Sequence, residues 1–184
     1  MNEEERNRRR ADSFINFMDM LGNESDRGCV IVSAAIFDDI LTSLLKKKLA
    51  PSLEKKDELF ENGSAFSSFS SRIDLAYRLG IIRGNFRATL HMIRKIRNEF
   101  AHISEPKSFD TSSVKSRVIE IFNLNKSIMD SFSESMRDQN IQVFSGSNFI
   151  EVIGTRKSYE FLLSSYAAFI LEAVNDIEPI MALE

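Results

Sequence analysis

One cysteine, Cys29, stands alone in 184 residues, so no internal disulfide forms and a reducing, cytoplasmic setting is expected. The opening MNEEERNRRR lacks the apolar run of a secretion signal. No apolar run approaches the roughly 20 residues that cross a bilayer, which predicts a chain without a membrane partner. The two histidines and Cys29 fall at no ligand spacing, so neither a metal nor a cofactor is expected. Also missing are G-x-S-x-G, G-x-x-x-x-G-K and H-E-x-x-H, which removes the common hydrolase, phosphate-loop and zinc-protease readings. A net charge of −3 excludes a protein built overall to coat nucleic acid or an anionic membrane, and any basic surface must be local.

What is present points to a packed globule: 43% hydrophobic residues with 15 phenylalanines, in a length that suits a single domain over residues 1–184. Residues 1–12 mix acids and arginines that pair at helical spacing and read as a solvated leading turn. Phe14, Phe17, Met18 and Leu21 then repeat as a helix that Gly22 stops. A longer helix runs from Ser25 to about Leu49, capped by Ser25 or Asp26, with Lys46, Lys47 and Lys48 in its last turn and Pro51 beyond. Its stripe is Ile31, Ala34, Leu41 and Leu45, and Asp38 lies on that stripe with Arg27 close to its line. Residues 50–66 form a connector anchored by Leu59 and Phe60. A helix from about Ser68 to Leu79 ends at Gly80, and its first turn, SSFSSR, offers either an anion site or an ordinary capped surface.

The central helix spans Phe86 to about His102. Another opens at Phe109–Asp110 with Val114, Val118, Ile121, Ile128 and Phe132 as its buried stripe. Between Asn140 and Gly154 the pattern changes to IQVF, SGS and NFIEVIG, two short extended runs around a glycine turn. A dense apolar helix from Ser158 to about Asp176 closes the chain. The expectation is an all-α bundle of about six helices with a small β-hairpin near residues 140–154.

The chemistry concentrates in IRKIRNEFAH, residues 93–102. Phe86, Ile93, Ile96 and Phe100 share one face of this helix, Arg83, Arg87, Arg94 and Asn98 the opposite arc, and Arg97 the seam between them. A core-facing Asp38 needs a cation, and Arg27, Arg72 and Arg97 are its candidates. Arg27, Asp38, Arg72, Arg94, Arg97, Asn98 and His102 are therefore the residues expected to shape a polar, partner-binding cleft. The basic helix after the Gly84–Asn85 turn also has the outline of a helix-turn-helix, but Glu99 and its apolar opposite face suit any bundle helix, and direct DNA reading is disfavoured.

Two resemblances follow from these residues. Arg97-Asn98-x-x-x-His102 resembles the R-x4-6-H motif of HEPN-type ribonucleases, which implies metal-independent RNA cleavage by Arg97 and His102 across a dimer cleft. On a continuous helix positions i and i+5 sit roughly 140° apart, so the pair converges only where the helix ends between them or a second subunit intervenes. In order along the chain, Glu24-x-Asp26-Arg27-Gly28, Phe37-Asp38 before Leu44-Leu45, Phe69-Ser70-Ser71-Arg72-Ile73 leading to Leu79-Gly80-Ile81-Ile82, and Ile93 to His102 resemble the mannitol operon repressor family. Phe109-Asp110 continues the match, which covers about residues 14–122. This resemblance implies an all-helical regulator of sugar-alcohol uptake genes that binds another protein. A homodimer is compatible with either reading, and RNA is a partner only under the first.

Overall fold

Ser25 opens the helix around which the others assemble. Its hydroxyl accepts a hydrogen bond from Gly28 N at 3.0 Å, an N-cap that starts α2, Asp26–Lys48. In the computed structural model, which describes residues 2–53, 58–102, 106–127 and 147–181, seven α-helices are delimited: α1 (Glu3–Gly22), α2, α3 (Phe69–Arg78), α4 (Gly84–Ala101), α5 (Ser112–Leu124), α6 (Ser147–Ile153) and α7 (Thr155–Asn175). A 3-10 turn, Glu58–Phe60, buries Phe60. The chain is all-α, as the periodicity predicts.

α2 touches α1, α3, α4 and α7, and it buries Cys29, Val30, Ser33, Ala34, Phe37, Ile40, Leu41, Leu44 and Leu45. That arc is wider than the predicted stripe and turned from it, leaving Ile31 exposed. Against the expectation that no apolar run approaches the length of a bilayer span, α2 is by length and composition apolar enough to cross a membrane. Its apolar side chains instead fill the middle of one continuous core.

α1 lies antiparallel on α7, as shown by Arg6 paired with Asp176, Arg10 over the Phe169 ring and Phe14 edge-on to Phe161. The leading segment is thus helical from Glu3, with Arg9 and Glu5 paired at i,i+4. α2 and α4 are also antiparallel: Phe37 meets Phe86 near one end, and Arg27 reaches Ala101 at the other. Phe86 stacks on Tyr166 of α7 at 4.5 Å, which joins the three helices through aromatic rings. Asn125, fully buried, donates to Thr89 of α4 at 2.8 Å and accepts from Tyr166, so its amide is satisfied between layers.

The expected hairpin is corrected here. Its second run, NFIEVI, belongs to helix α6, where Phe149 packs between Phe122 and Phe161. Its first run, like Ile128 and Phe132, lies outside the described residues. Gly154 joins α6 to α7 at φ +85°, a conformation that suits glycine.

Candidate functional site

α4 is amphipathic, and its packing decides what it offers outward. Phe86, Thr89, Leu90, Ile93, Ile96 and Phe100 are buried against the core. Arg97 and Asn98 are exposed, and Arg94 is half-buried with an Nε that has no hydrogen-bond partner. The helix ends at Ala101, and His102 is exposed in an extended conformation (φ −72°, ψ 119°). Exposed Arg27, from the first turn of α2, donates Nη2 to Ala101 O at 3.3 Å. Arg27, Arg94, Arg97, Asn98 and His102 therefore share the C-terminal half of α4.

Asp38 and Arg72 lie elsewhere. Arg72 Nη1 donates to Asp38 Oδ1 at 2.7 Å, while its remaining donors reach the carbonyls of Phe66 at 2.9 Å and of Phe60 and Ser67, both at 3.2 Å. Of the three candidate partners of Asp38, the structure selects Arg72. Arg27 and Arg97 do not join it: each is eleven residues, about 16 Å by helical rise, from the Asp38 or Phe86 level. The expected single cleft is thus two sites at opposite ends of the α2–α4 pair. The Asp38 end is a clamp that folds the connector onto α3. The SSFSSR turn is satisfied internally, Ser68 Oγ accepting from Ser71 N at 3.1 Å, and its arginine is the clamp itself.

A second charged cluster escaped the sequence reading. Arg156, at the start of α7, donates to Glu160 Oε1 at 2.7 Å, to Asp26 Oδ1 at 2.6 Å, to Leu21 O at 3.3 Å and to Glu24 O. Glu160 is fully buried and also accepts from Lys157 Nζ at 2.7 Å. Asp26 accepts in addition from Phe109 N at 3.2 Å. Burial lowers the Arg156 pKa, but the hydrogen bonds to Glu160 and Asp26 outweigh it and the net shift is upward. Burial, then the Glu160 charge, pushes the Cys29 thiol up to about 12, so Cys29 is a packed core residue and a poor nucleophile. The Arg156–Glu160 spacing of i,i+4 on a densely apolar helix was the available signal, and it was lost by starting that helix at Ser158.

No family model matches the chain, and no curated protein matches it. A solved structure does: a chain of the X-ray structure of the MtlR-HPr complex from Escherichia coli superposes with a TM-score of 0.59 over 88% of this chain and 99% of that one, at 14% sequence identity. The bundle is MtlR-like in fold.

One more cluster sits on this MtlR-like bundle, across α3 and α4. Asp74 Oδ1 accepts from Arg87 Nε at 2.8 Å and is 3.1 Å from His91 Nε2. Partial desolvation raises the Asp74 pKa, but the bonds and charges of Arg87 and His91 outweigh it and hold the carboxyl below its usual range. A depressed carboxyl adds stability that is complete above its unfolded pKa of about 3.9 and is lost as pH falls through the lower folded value. Asp74 is half-exposed, so solvent screening keeps the gain small. Asp74→Asn is therefore expected to lower Tm slightly at pH 7, with the difference shrinking below about pH 4. Thermal unfolding of both proteins from pH 2 to 7 checks it; a constant difference counts against the pairing.

Proposed function

We propose that the chain is a regulator of the MtlR kind, acting on sugar-alcohol uptake genes by binding another protein and carrying no DNA-reading module of its own. The likeness in fold carries this reading, because it spans nearly all of both chains and the similar protein was crystallised bound to HPr. We take residues 1–184 as one domain, since a single core joins all the described helices, and propose the cytoplasm as its setting because its one cysteine forms no internal disulfide. Calorimetric titration with HPr from the same organism is expected to give a saturable complex, and deletion of the gene to change transcription of sugar-alcohol uptake genes. No complex together with unchanged transcripts would sink the proposal.

A second reading draws on the end of α4. The helix is continuous from Arg97 to Ala101 and His102 caps it with a near-helical φ of −72°, so under this reading a second subunit brings an Arg97 and a His102, both exposed, to one cleft. Under it, purified protein cleaves single-stranded RNA in the presence of a metal chelator, and Arg97→Ala and His102→Ala each remove the activity. Both side chains are exposed, so circular dichroism of the variants is expected to match the parent. Absence of cleavage at high protein concentration removes this reading.

A further inference from the structure

We infer that the C-terminal half of α4, with Arg27 beside it, is a docking face for carboxylates on an acidic surface of a partner protein. The inference rests on the protein-binding reading and locates it. Six arginines of this chain have a carboxylate assigned within the fold. Arg6 holds Asp176, Arg9 holds Glu5, Arg72 holds Asp38, Arg87 holds Asp74, Arg117 holds Glu99, and Arg156 holds Asp26 and Glu160. Arg8, Arg10, Arg27, Arg78, Arg83, Arg94 and Arg97 have no carboxylate partner among the described residues, and of these Arg27, Arg94 and Arg97 gather at the end of one helix, although the chain carries 27 acids against 24 lysines and arginines. Acid is not scarce; it is directed away from this place.

Glu99 shows how. It lies within two residues of Arg97 on α4, yet its carboxylate is engaged from α5 by Arg117 and by Ser113 Oγ at 2.6 Å. The helix is left with uncancelled charge one turn apart at Arg94 and Arg97, a like-charge arrangement that costs an isolated helix a few tenths of a kcal/mol. Arg94 Nε is buried with its donor unused, while Asn98 adds an exposed amide. Arg94 and Arg97 rise from α4 roughly 4.5 Å apart along its axis, a spacing at which two guanidinium forks each meet a carboxylate. Arg27, tied to Ala101 O, brings a third cation to the same end.

The patch suits a few carboxylates better than a phosphate backbone. Nucleic-acid affinity accumulates over many neutralised phosphates along a basic stripe. Here only Arg27, Arg94 and Arg97 gather at one helix end, too few cations for that accumulation.

The test uses the full chain and a fluorescent ten-residue polyglutamate as probe, followed by anisotropy at low ionic strength. Arg94→Ala/Arg97→Ala is expected to weaken binding at least tenfold. Arg8→Ala/Arg78→Ala, which removes the same charge from exposed positions on other helices, leaves it unchanged. Circular dichroism confirms that both doubles are folded. No binding by the parent, equal loss in the two doubles, or tighter binding of an oligouridylate of equal charge overturns the inference. The HPr titration separates this from the parent reading. HPr binding that survives Arg94→Ala/Arg97→Ala leaves the regulator reading standing and overturns its location here. Polyglutamate binding that depends on the arginines, without an HPr complex, supports the face and counts against HPr as its occupant.

Discussion

Arg156→Ala is expected to cost the bundle about 3–5 kcal/mol, the range for removing one partner from a buried ion pair. Its guanidinium is the main cation for Glu160, which has no exposed surface, and Lys157 alone would remain to it. The same substitution leaves Asp26 with only the Phe109 N–H, Leu21 O with only backbone donors and Glu24 O without the guanidinium, so the end of α1, the start of α2 and the start of α7 lose their common tie. At this chain length each kcal/mol moves Tm by roughly 2–4 °C, so a fall of about 6–20 °C is expected. Urea unfolding measures the free energy directly. The decisive comparison is Arg156→Leu/Glu160→Leu, expected to recover most of the loss because no unpaired buried carboxylate remains. If the double variant is no better than Arg156→Ala, the cost lies in the carbonyl contacts and not in the buried charge.

Arg72→Ala is expected to cost about 2–4 kcal/mol, from one unpaired carboxylate and three carbonyls deprived of a donor. Its side chain is only 12% exposed, so water replaces these bonds poorly. Phe60, Phe66 and Ser67 supply the carbonyls, so the visible result is release of the connector ahead of α3. Limited proteolysis is the sharper readout: cleavage within 58–68 should appear under conditions in which the parent and the Arg94→Ala/Arg97→Ala double remain intact. Asp38→Asn keeps a side-chain oxygen for Arg72 and should lose less than half as much. If connector cleavage is unchanged in Arg72→Ala, the clamp is not what holds that segment.

These two arginines show what could be read from the chain and what could not. Local signals were legible, since capping hydroxyls act within three residues: Ser25 caps α2 as expected, Ser68 caps α3 one residue before it starts, and Gly80 takes φ +69° after α3. The buried face of α4 was legible because Phe86, Ile93, Ile96 and Phe100 repeat with the helical period. Asp38 was correctly marked as needing an arginine, but spacing cannot choose among arginines on three different helices. Arg97 is one of the three candidates for that acid, yet the structure gives the pairing to Arg72 and leaves Arg97 in solvent. The Arg156–Asp26 pair joins residues 130 apart in sequence, a distance at which no local pattern reports a contact. The second run of the supposed hairpin failed for another reason. Phe149, Ile150 and Ile153 fit either a short strand or one face of a short helix, and packing between Phe122 and Phe161 decides for the helix.

The central place of α2 has a consequence for how the chain is made. Its apolar arc is closed partly by α7, whose last residue follows the end of α2 by 127 positions. At roughly 5–20 residues per second, that interval is about 6–25 s of synthesis. Throughout it, a 23-residue helix apolar enough for a bilayer waits on the ribosome without its final cover. Early protection then falls to α1, α3 and α4, and the carboxylates of Asp38 and Asp39 near its middle make a bilayer a costly alternative to the protein interior.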